Sequence, residues 1–450
     1  MKPLSPVDAM FLWVERRHQP MHVGALMLLT PPPGVGPGFV GELVESMRTP
    51  DQAVPPFNQA AQFHLGHWFW EEDKDFELDY HLRHSALPQP GRIRELLSLV
   101  SRLHGTLMER SRPLWELHLI EGLADGRLAV YAKTHHALFD GVAAARLMQT
   151  VLSEDPDEQR APFWAQEPRR RTSAIEVAPP TLSGALGAVL EMVPGIRSGL
   201  REIFRPPNAS AGDAQPYQAP PTMFNVPISG ARRFAAQSYS LERLKTIGRA
   251  VGATLNDVTL TICAGALRRY LLAQHALPDK PLIAAVPVSV RSADQAEAGG
   301  NQVGMLLANL GTHVADPLER LRLVTESTKL AKERLAGMTR LEQLAHAGTM
   351  GLPFGPSILL GVARHRPLCN LVISNVPGPR QTLYMNGMRL DESYPLSIPY
   401  DYLALNITIA SYGDHLGFGY TACRRTVPSL QRMLDHTDDA LKELETALRQ

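Results

Sequence analysis

The chain has 450 residues, and its 45 Lys plus Arg balance 45 Asp plus Glu, giving a formal net charge of zero. That length predicts two or three domains, and the even charge argues against a dedicated nucleic-acid binder, which needs excess positive charge to neutralise phosphates. Cys263, Cys369 and Cys423 are far apart with no C-x-x-C pair, so neither a disulfide framework nor a zinc site is expected and a reducing compartment is the default.

The opening apolar run, Ala9 to Val14, is bounded by Asp8 and Glu15. It is too short for a signal-peptide core and lacks a small-residue cleavage site. The spacing of Ile93, Leu96, Val100, Leu103 and Leu107 predicts a helix from Arg92 to Glu109. Glu121–Gly126 reads as a turn, Leu128–His136 as a strand, and Val142 to about Leu152 as a helix. These elements form a first α/β lobe over residues 1–160. Residues 161–220 read as a linker, with the Pro179–Pro180 and Pro206–Pro207 pairs and a solvated basic run at Arg169–Arg171. Inside it Leu182, Leu186, Val189, Leu190, Val193 and Ile196 share a helical face, followed by Arg197, Arg201 and Arg205. Pro194 is expected to kink or end that helix. The segment suits a surface-packed helix and a membrane- or droplet-surface anchor equally.

Residues 221–450 form a second lobe of the same mixed character. Helices are predicted over Leu241–Val251, from Asn256 or Asp257 through Leu271, over Leu318–Leu335 and over Leu430–Leu448. Strands are predicted over Leu282–Val286, ending at Pro287, and over Leu368–Ser374, Leu403–Ser411 and His415–Arg424. Gln343 to Ala363 carries no charged residue and is long enough to span a bilayer. Pro353, Pro356, His346 and four glycines interrupt it, so a buried helix–loop lining an apolar pocket is expected instead.

The sharpest chemical feature is Lys133-Thr134-His135-His136-Ala137-Leu138-Phe139-Asp140-Gly141, where a strand gives way to a helix. Neighbouring strand residues point to opposite faces, so His135 and His136 do not share a metal, and no H-E-x-x-H spacing is present. One histidine facing a cleft, with its neighbour bonded in the core, suits general-base chemistry near neutral pH. Asp140 is placed to cap the helix or hold the turn through an ion pair, and Gly141 to let the backbone turn tightly. No G-x-S-x-G elbow is present to suggest an acyl-enzyme. Trp115 reads as core packing, and His104 and His118 as ordinary surface or core histidines.

H-H-x-x-x-D-G, from His135 to Gly141, resembles the signature of the CoA-dependent acyltransferase superfamily. Further blocks narrow the likeness. They are the opening Leu4 to Trp13, Met21-His22-Val23-Gly24, Arg112-Pro113-Leu114-Trp115-Glu116 and Asn225 to Gly230. In the second half they are Asn256-Asp257-Val258, Pro287 to Arg291, Gly300-Asn301-Gln302, Ser374 to Pro379 and Leu405-Asn406-Ile407-Thr408. Together they resemble the bacterial wax ester synthase/diacylglycerol acyltransferase family almost end to end. The resemblance implies an α/β fold of mixed sheets, with two chloramphenicol-acetyltransferase-like lobes and a substrate tunnel between them. It implies an O-acyltransferase that moves a long-chain acyl group from acyl-CoA to a fatty alcohol or diacylglycerol. His136 would be the general base, with His135 beside it in the catalytic motif, and no acyl-enzyme would form. It further implies structural roles at the site for Asp140, Gly141 and Arg291, and tunnel-shaping roles for Asn256, Asp257, Ser374 and Asn375. Acyl-CoA is then a substrate, and no cofactor or metal is expected. The lipid substrates imply a cytoplasmic enzyme held peripherally at the inner membrane or at lipid inclusions, with no nucleic-acid partner. A polyketide acceptor or a carrier-bound thioester donor is the alternative within the same superfamily.

Overall fold

The computed structural model describes residues 2–36, 38–139, 141–166, 182–205, 212–289, 303–351, 353–359 and 361–449. Arg169–Arg171, both linker proline pairs and Gly300-Asn301-Gln302 lie outside them. The first half runs β1 (Lys2–Pro3), α1 (Pro6–Val14), β2 (His22–Thr30), α2 (Phe39–Arg48), β3 (Gln59–His64) and β4 (His67–Glu72). It continues with α3 (Leu78–His81), β5 (Leu82–Ala86), α4 (Ile93–Gly105), β6 (Trp115–Glu121), β7 (Leu128–His135) and α5 (Gly141–Thr150). After α6 (Leu182–Phe204) come β8 (Arg232–Ser240), α7 (Leu241–Val251), α8 (Leu255–Ala273), β9 (Ile283–Ser289) and β10 (Val303–Asn309). Three helices follow: α9 (Pro317–Leu335), α10 (Arg340–Gly351) and α11 (Phe354–Leu359). The chain closes with β11 (Leu371–Val376), β12 (Tyr384–Met385), β13 (Met388–Leu396), β14 (Leu405–Tyr412), β15 (His415–Cys423) and α12 (Arg432–Ala447).

Local chemistry sets the helix starts. Ser5 caps α1, accepting from the Asp8 N–H at 3.1 Å, and Pro6 occupies the first turn where its missing N–H costs nothing. Asp316 and Pro317 do the same for α9. Thr254 and Asp257 form a reciprocal capping box on α8. α7 stops at Gly252, whose φ of 68° is the left-handed cap that glycine adopts without penalty.

Two six-stranded mixed sheets make the two lobes, ordered β12-β13-β2-β7-β6-β5 and β10-β9-β11-β14-β15-β8. A small sheet, β1-β4-β3, stands beside the first. The second lobe's core forms around α8, where Val258, Ile262, Leu267 and Leu271 meet Leu371, Ile407 and Phe418 of the sheet. In the first lobe, α2 and α5 cover one sheet face and α4 the other. β7 is buried along its whole length.

Three sequence expectations are corrected. The partition at residues 161–220 does not separate the sheets. β13 pairs along β2, so residues 384–396 complete the first-lobe sheet by covering an edge that would otherwise be open. β15 then crosses β13 so closely that a Cβ at Gly419 would sit 2.0 Å from the Pro395 carbonyl oxygen. Pro287 does not end β9: it pairs with Met305 of β10, beyond the point where the β11 ladder stops at Ala285, so its missing N–H breaks no bond on that side. Pro194 does not end the linker helix, which continues to Phe204. The helix packs along α10, and a Cβ at Gly195 would lie 2.1 Å from the Glu342 carbonyl oxygen. That backbone-to-backbone contact offsets the bond lost at the proline.

The uncharged stretch is a broken helix–loop as expected, divided between α10, α11 and a short turn at Val362–Arg364. Among its described residues only Ala345, His346, Met350 and Ala363 are buried, so it is not the buried wall that was expected. No single helix among the described residues is long and apolar enough to cross a membrane. All three cysteines are free and buried.

Candidate active site

β7 delivers the histidine pair. Its end is held on both sides: the His135 N–H donates to the Leu114 carbonyl at 3.0 Å, and the His136 N–H donates to the Met21 carbonyl at 2.8 Å. Two of the sequence blocks are therefore the flanking supports of the third. Within Met21-His22-Val23-Gly24, Gly24 has a steric reason: a Cβ there would meet the Tyr131 ring and the Ala132 carbonyl oxygen, each at 2.9 Å.

β7 ends at His135, and His136 begins the turn after it; the two rings meet different partners, Glu15 at the end of α1 and Phe11 within it. His135 is fully buried. Its Nδ1 accepts the Ala137 N–H at 3.1 Å, which leaves the proton on Nε2, aimed at Glu15 Oε1 3.3 Å away. Fully buried, with one ring nitrogen bonded to the Ala137 N–H and the other turned to Glu15, His135 is a positioning residue. This corrects its expected place as a catalytic partner. His136 is half-buried at the first position of the turn, and its ring stacks on Phe11 with centroids 4.0 Å apart. Gly141 opens α5. Its φ is not left-handed and a Cβ would meet nothing within 4 Å, so the tight turn expected of it is not its role; the space beside it is open. Asp140 and Arg291 lie outside the described residues.

Sequence reasoning missed Glu15 and Phe11. Glu15 was read only as the end of an apolar run, yet it organises the site. One carboxylate oxygen accepts the Met21 N–H at 3.0 Å and faces His135; the other pairs with Arg110 at 3.1 Å. Burial raises this carboxyl, but the His135 hydrogen bond and the Arg110 charge outweigh it and hold the group below the usual carboxylate range. Glu15 thus faces the His135 ring and holds the Met21 backbone, whose carbonyl accepts the His136 N–H. The weak sequence signal was an acid directly following an apolar helix.

A second buried network lies behind β7. The Lys133 ammonium, fully enclosed, donates to the Thr106 carbonyl at 2.8 Å and lies 3.4 Å from Glu116, which also meets His118 at 3.1 Å. Burial raises the Glu116 carboxyl, but His118 and Lys133 bring it down to about 2. His104 sits between the Tyr131 hydroxyl at 2.8 Å and the Ser397 carbonyl at 2.9 Å, and burial pushes it down to about 3. His22 donates to the His104 carbonyl at 2.6 Å and is likewise held neutral by burial. His104 and His118 are core histidines, and Trp115 is fully buried with its indole N–H on the Phe57 carbonyl at 2.8 Å.

The second-lobe candidates divide. Asp257 is almost fully buried and spends one oxygen on its own capping box and the other on the Thr328 hydroxyl at 2.6 Å, so it locks α8 to α9 rather than shaping a tunnel. Asn256 is half-buried on the same first turn. Ser374 and Asn375 are half-buried on β11, paired with Thr408 and Ile409 of β14. The loop after them is seated where the Gly378 N–H donates to the Ser411 hydroxyl at 2.8 Å.

This half-buried imidazole at a strand end, with a buried histidine beside it, lies among sequence blocks that run the length of the chain. Residues 4–259 match the wax ester synthase/diacylglycerol acyltransferase catalytic domain, and residues 299–445 match its C-terminal domain. The chain belongs to the wax ester synthase/diacylglycerol acyltransferase family. It is 47% identical over 460 residues to a probable diacylglycerol O-acyltransferase of Mycobacterium tuberculosis, covering all of both chains. It is 42% identical to the O-acyltransferase WSD of Acinetobacter baylyi, covering 99% of this chain and 97% of that one. The solved wax ester synthase/diacylglycerol acyltransferase of Marinobacter aquaeolei superposes with a TM-score of 0.83 at 42% identity, both chains covered in full. The starter condensation domain of rhizomide synthetase shares the fold alone, with a TM-score of 0.61 at 11% identity over all of this chain and 94% of that one. The mixed-sheet, two-lobed acyltransferase fold expected from the sequence is therefore the fold observed, and the chain is an acyltransferase of this family.

Proposed function

We propose that the chain esterifies a fatty alcohol or diacylglycerol with the long-chain acyl group of an acyl-CoA, with His136 as general base. The observation that carries this reading is the half-buried His136 ring at the end of β7, stacked on Phe11, with its backbone N–H held by the Met21 carbonyl. The acceptor hydroxyl gives its proton to the imidazole as its oxygen attacks the thioester carbon. The tetrahedral oxyanion then collapses, the C–S bond breaks, and the imidazolium returns the proton to the leaving thiolate. The products are ester and free CoA. A thioester is activated enough for direct attack, so no acyl-enzyme is needed. Asn256 and Ser374 are the candidate polar groups near the path, with Asp140 and Arg291 as structural supports. Because both substrates are lipids, the enzyme works peripherally at a cytoplasmic membrane or lipid-inclusion surface.

The test is thiol release from palmitoyl-CoA with hexadecanol or dipalmitoylglycerol. Release should require acceptor, and His136→Ala should lower it roughly 10²–10⁴-fold. A folded His136→Ala protein of near-normal activity would remove the assignment of the base. Failure of both acceptors would move the reading to polyketide or carrier-bound partners.

A further inference from the structure

Five of the large apolar side chains exposed on this protein gather in one place. Met10, Trp13 and Val14 share the outer face of α1, at helical spacing, and Phe63 and Leu65 stand at the β3–β4 turn beside them. Trp13 meets Phe63 edge-on at 5.2 Å and Trp68 at 6.1 Å, so helix and hairpin present one continuous aromatic surface. Leu65 is completely exposed and holds a φ of 48°, a left-handed position at which asparagine or glycine is usual and leucine is strained. Nothing in the protein covers it. A leucine wedge on a rigid turn contributes no stability in water and contributes by entering an apolar medium.

The charges around this face lean positive: against Lys2, Arg16 and Arg17, Asp8 of α1 is bonded by the Ser5 hydroxyl at 2.7 Å and Glu72 of β4 is exposed. Lys2, on the strand paired to β4, and Arg16 and Arg17, directly after α1, are exposed and make no ion pair among the described residues. The nearest hairpin acid, Glu71, is taken up by His64 at 2.8 Å. On a chain of zero net charge this is a local cationic rim around an apolar tip, complementary to an anionic lipid surface. The inner face of the same helix carries Phe11 against His136 and ends at Glu15.

We propose that α1 and the β3–β4 hairpin are the face with which this protein docks on an anionic phospholipid surface, Leu65 and Met10 entering the acyl layer and Lys2, Arg16 and Arg17 meeting headgroups. This rests on the proposed action on lipid substrates and names the surface that receives them. Docking there brings the helix that touches His136 to the lipid, so an acceptor reaches the base without crossing water. The linker helix, for which the sequence left packing and anchoring evenly weighed, is the comparator: its Ile196, Leu200 and Phe204 stripe is exposed, but its other side is bound along α10, away from the contacts of His136 described above.

The experiment is flotation of the full-length protein with phosphatidylcholine vesicles, with and without phosphatidylglycerol, alongside thiol release. Leu65→Asn suits the left-handed turn and should fold as well as the parent. With Met10→Ser added, the vesicle-bound to free ratio should fall about tenfold or more, the scale of withholding exposed apolar side chains from the acyl layer. Arg16→Glu/Arg17→Glu should abolish the phosphatidylglycerol dependence. Thiol release with a water-soluble short-chain alcohol should be unchanged in all of these variants, while release with vesicle-embedded diacylglycerol should drop. Flotation equal to the parent in the Leu65/Met10 variant overturns the proposal, as does loss of flotation only in Leu200→Ser/Phe204→Ser. Self-association through this face with no vesicle binding overturns it too. Flotation reads docking whether or not any acceptor is turned over, so failure of the acyltransfer reading is seen separately.

Discussion

Glu15 and His104 show how single buried groups set both chemistry and stability here. Glu15→Ala would leave Arg110, itself 38% exposed, and His135 without their shared partner and the buried Met21 N–H unsatisfied, which should cost about 1–3 kcal/mol. Glu15→Gln keeps a group able to accept the Met21 N–H but removes the charge, so the fold should survive. We expect Glu15→Gln to lower kcat about tenfold with little change in KM, the size of a small misplacement of the base; an unchanged kcat would show that His135 holds its orientation without the carboxylate. His104 gives a pH prediction of definite sign. Its folded value of about 3 lies below the ordinary 6.5, so its contribution is complete above pH 6.5 and is lost as pH falls toward 3. Between pH 7 and pH 5 this one group should remove roughly 2 kcal/mol of stability. Denaturant melts at those two pH values, compared with those of a folded His104→Gln variant, measure it. His136 was legible at this scale because a strand-to-helix turn with adjacent histidines is a local pattern. Glu15 was not, because its partners Met21, Arg110 and His135 meet it only through the fold.

At the scale of elements, capping chemistry and hydrophobic spacing located α4 to α9, α12 and the strands β7, β9, β11, β14 and β15 within a few residues, but not β2, β6, β8 or β13. α4 closes at Gly105, four residues short of the expected Glu109. The chain then leaves the helix so that the Thr106 carbonyl can accept from Lys133, a demand from another strand that periodicity does not encode. Pro194 and Pro287 were read as breakers by a sound local rule, and both were overruled where packing or a missing ladder removed the penalty. Asp257 shows the reverse. The sequence placed it correctly at a helix start but could not tell cap from tunnel wall, because the Thr328 hydroxyl that claims its second oxygen is 71 positions away. Asp257→Ala loses both the cap and the interhelical bond, and should cost about 2–3 kcal/mol in a denaturant melt. A loss below half of that would return Asp257 to the list of residues kept for the substrate path.

For the whole molecule, the two lobes are one folding unit in which the second half finishes the first. β13 supplies Met388 and Leu390 to one face of the first-lobe sheet and Tyr394 and Leu396 to the other. Ser101 of α4 accepts the Phe234 N–H of β8 at 2.9 Å, joining the lobes a second time. A fragment of residues 1–220 would therefore expose the β2 edge and part of both cores. It should lack a cooperative thermal transition by circular dichroism, and a sharp transition would show that the first lobe stands alone. The sequence by itself determined the fold class, the chemistry-bearing turn, the family likeness and seven of the twelve helices among the described residues, because each rests on patterns local to the chain. The tertiary structure alone decided which lobe each strand joins, which histidine faces outward, that Glu15 faces His135 and that Leu65 stands uncovered. Each of those depends on what a side chain meets after distant segments have packed, and burial and hydrogen-bond partners are properties of that packing.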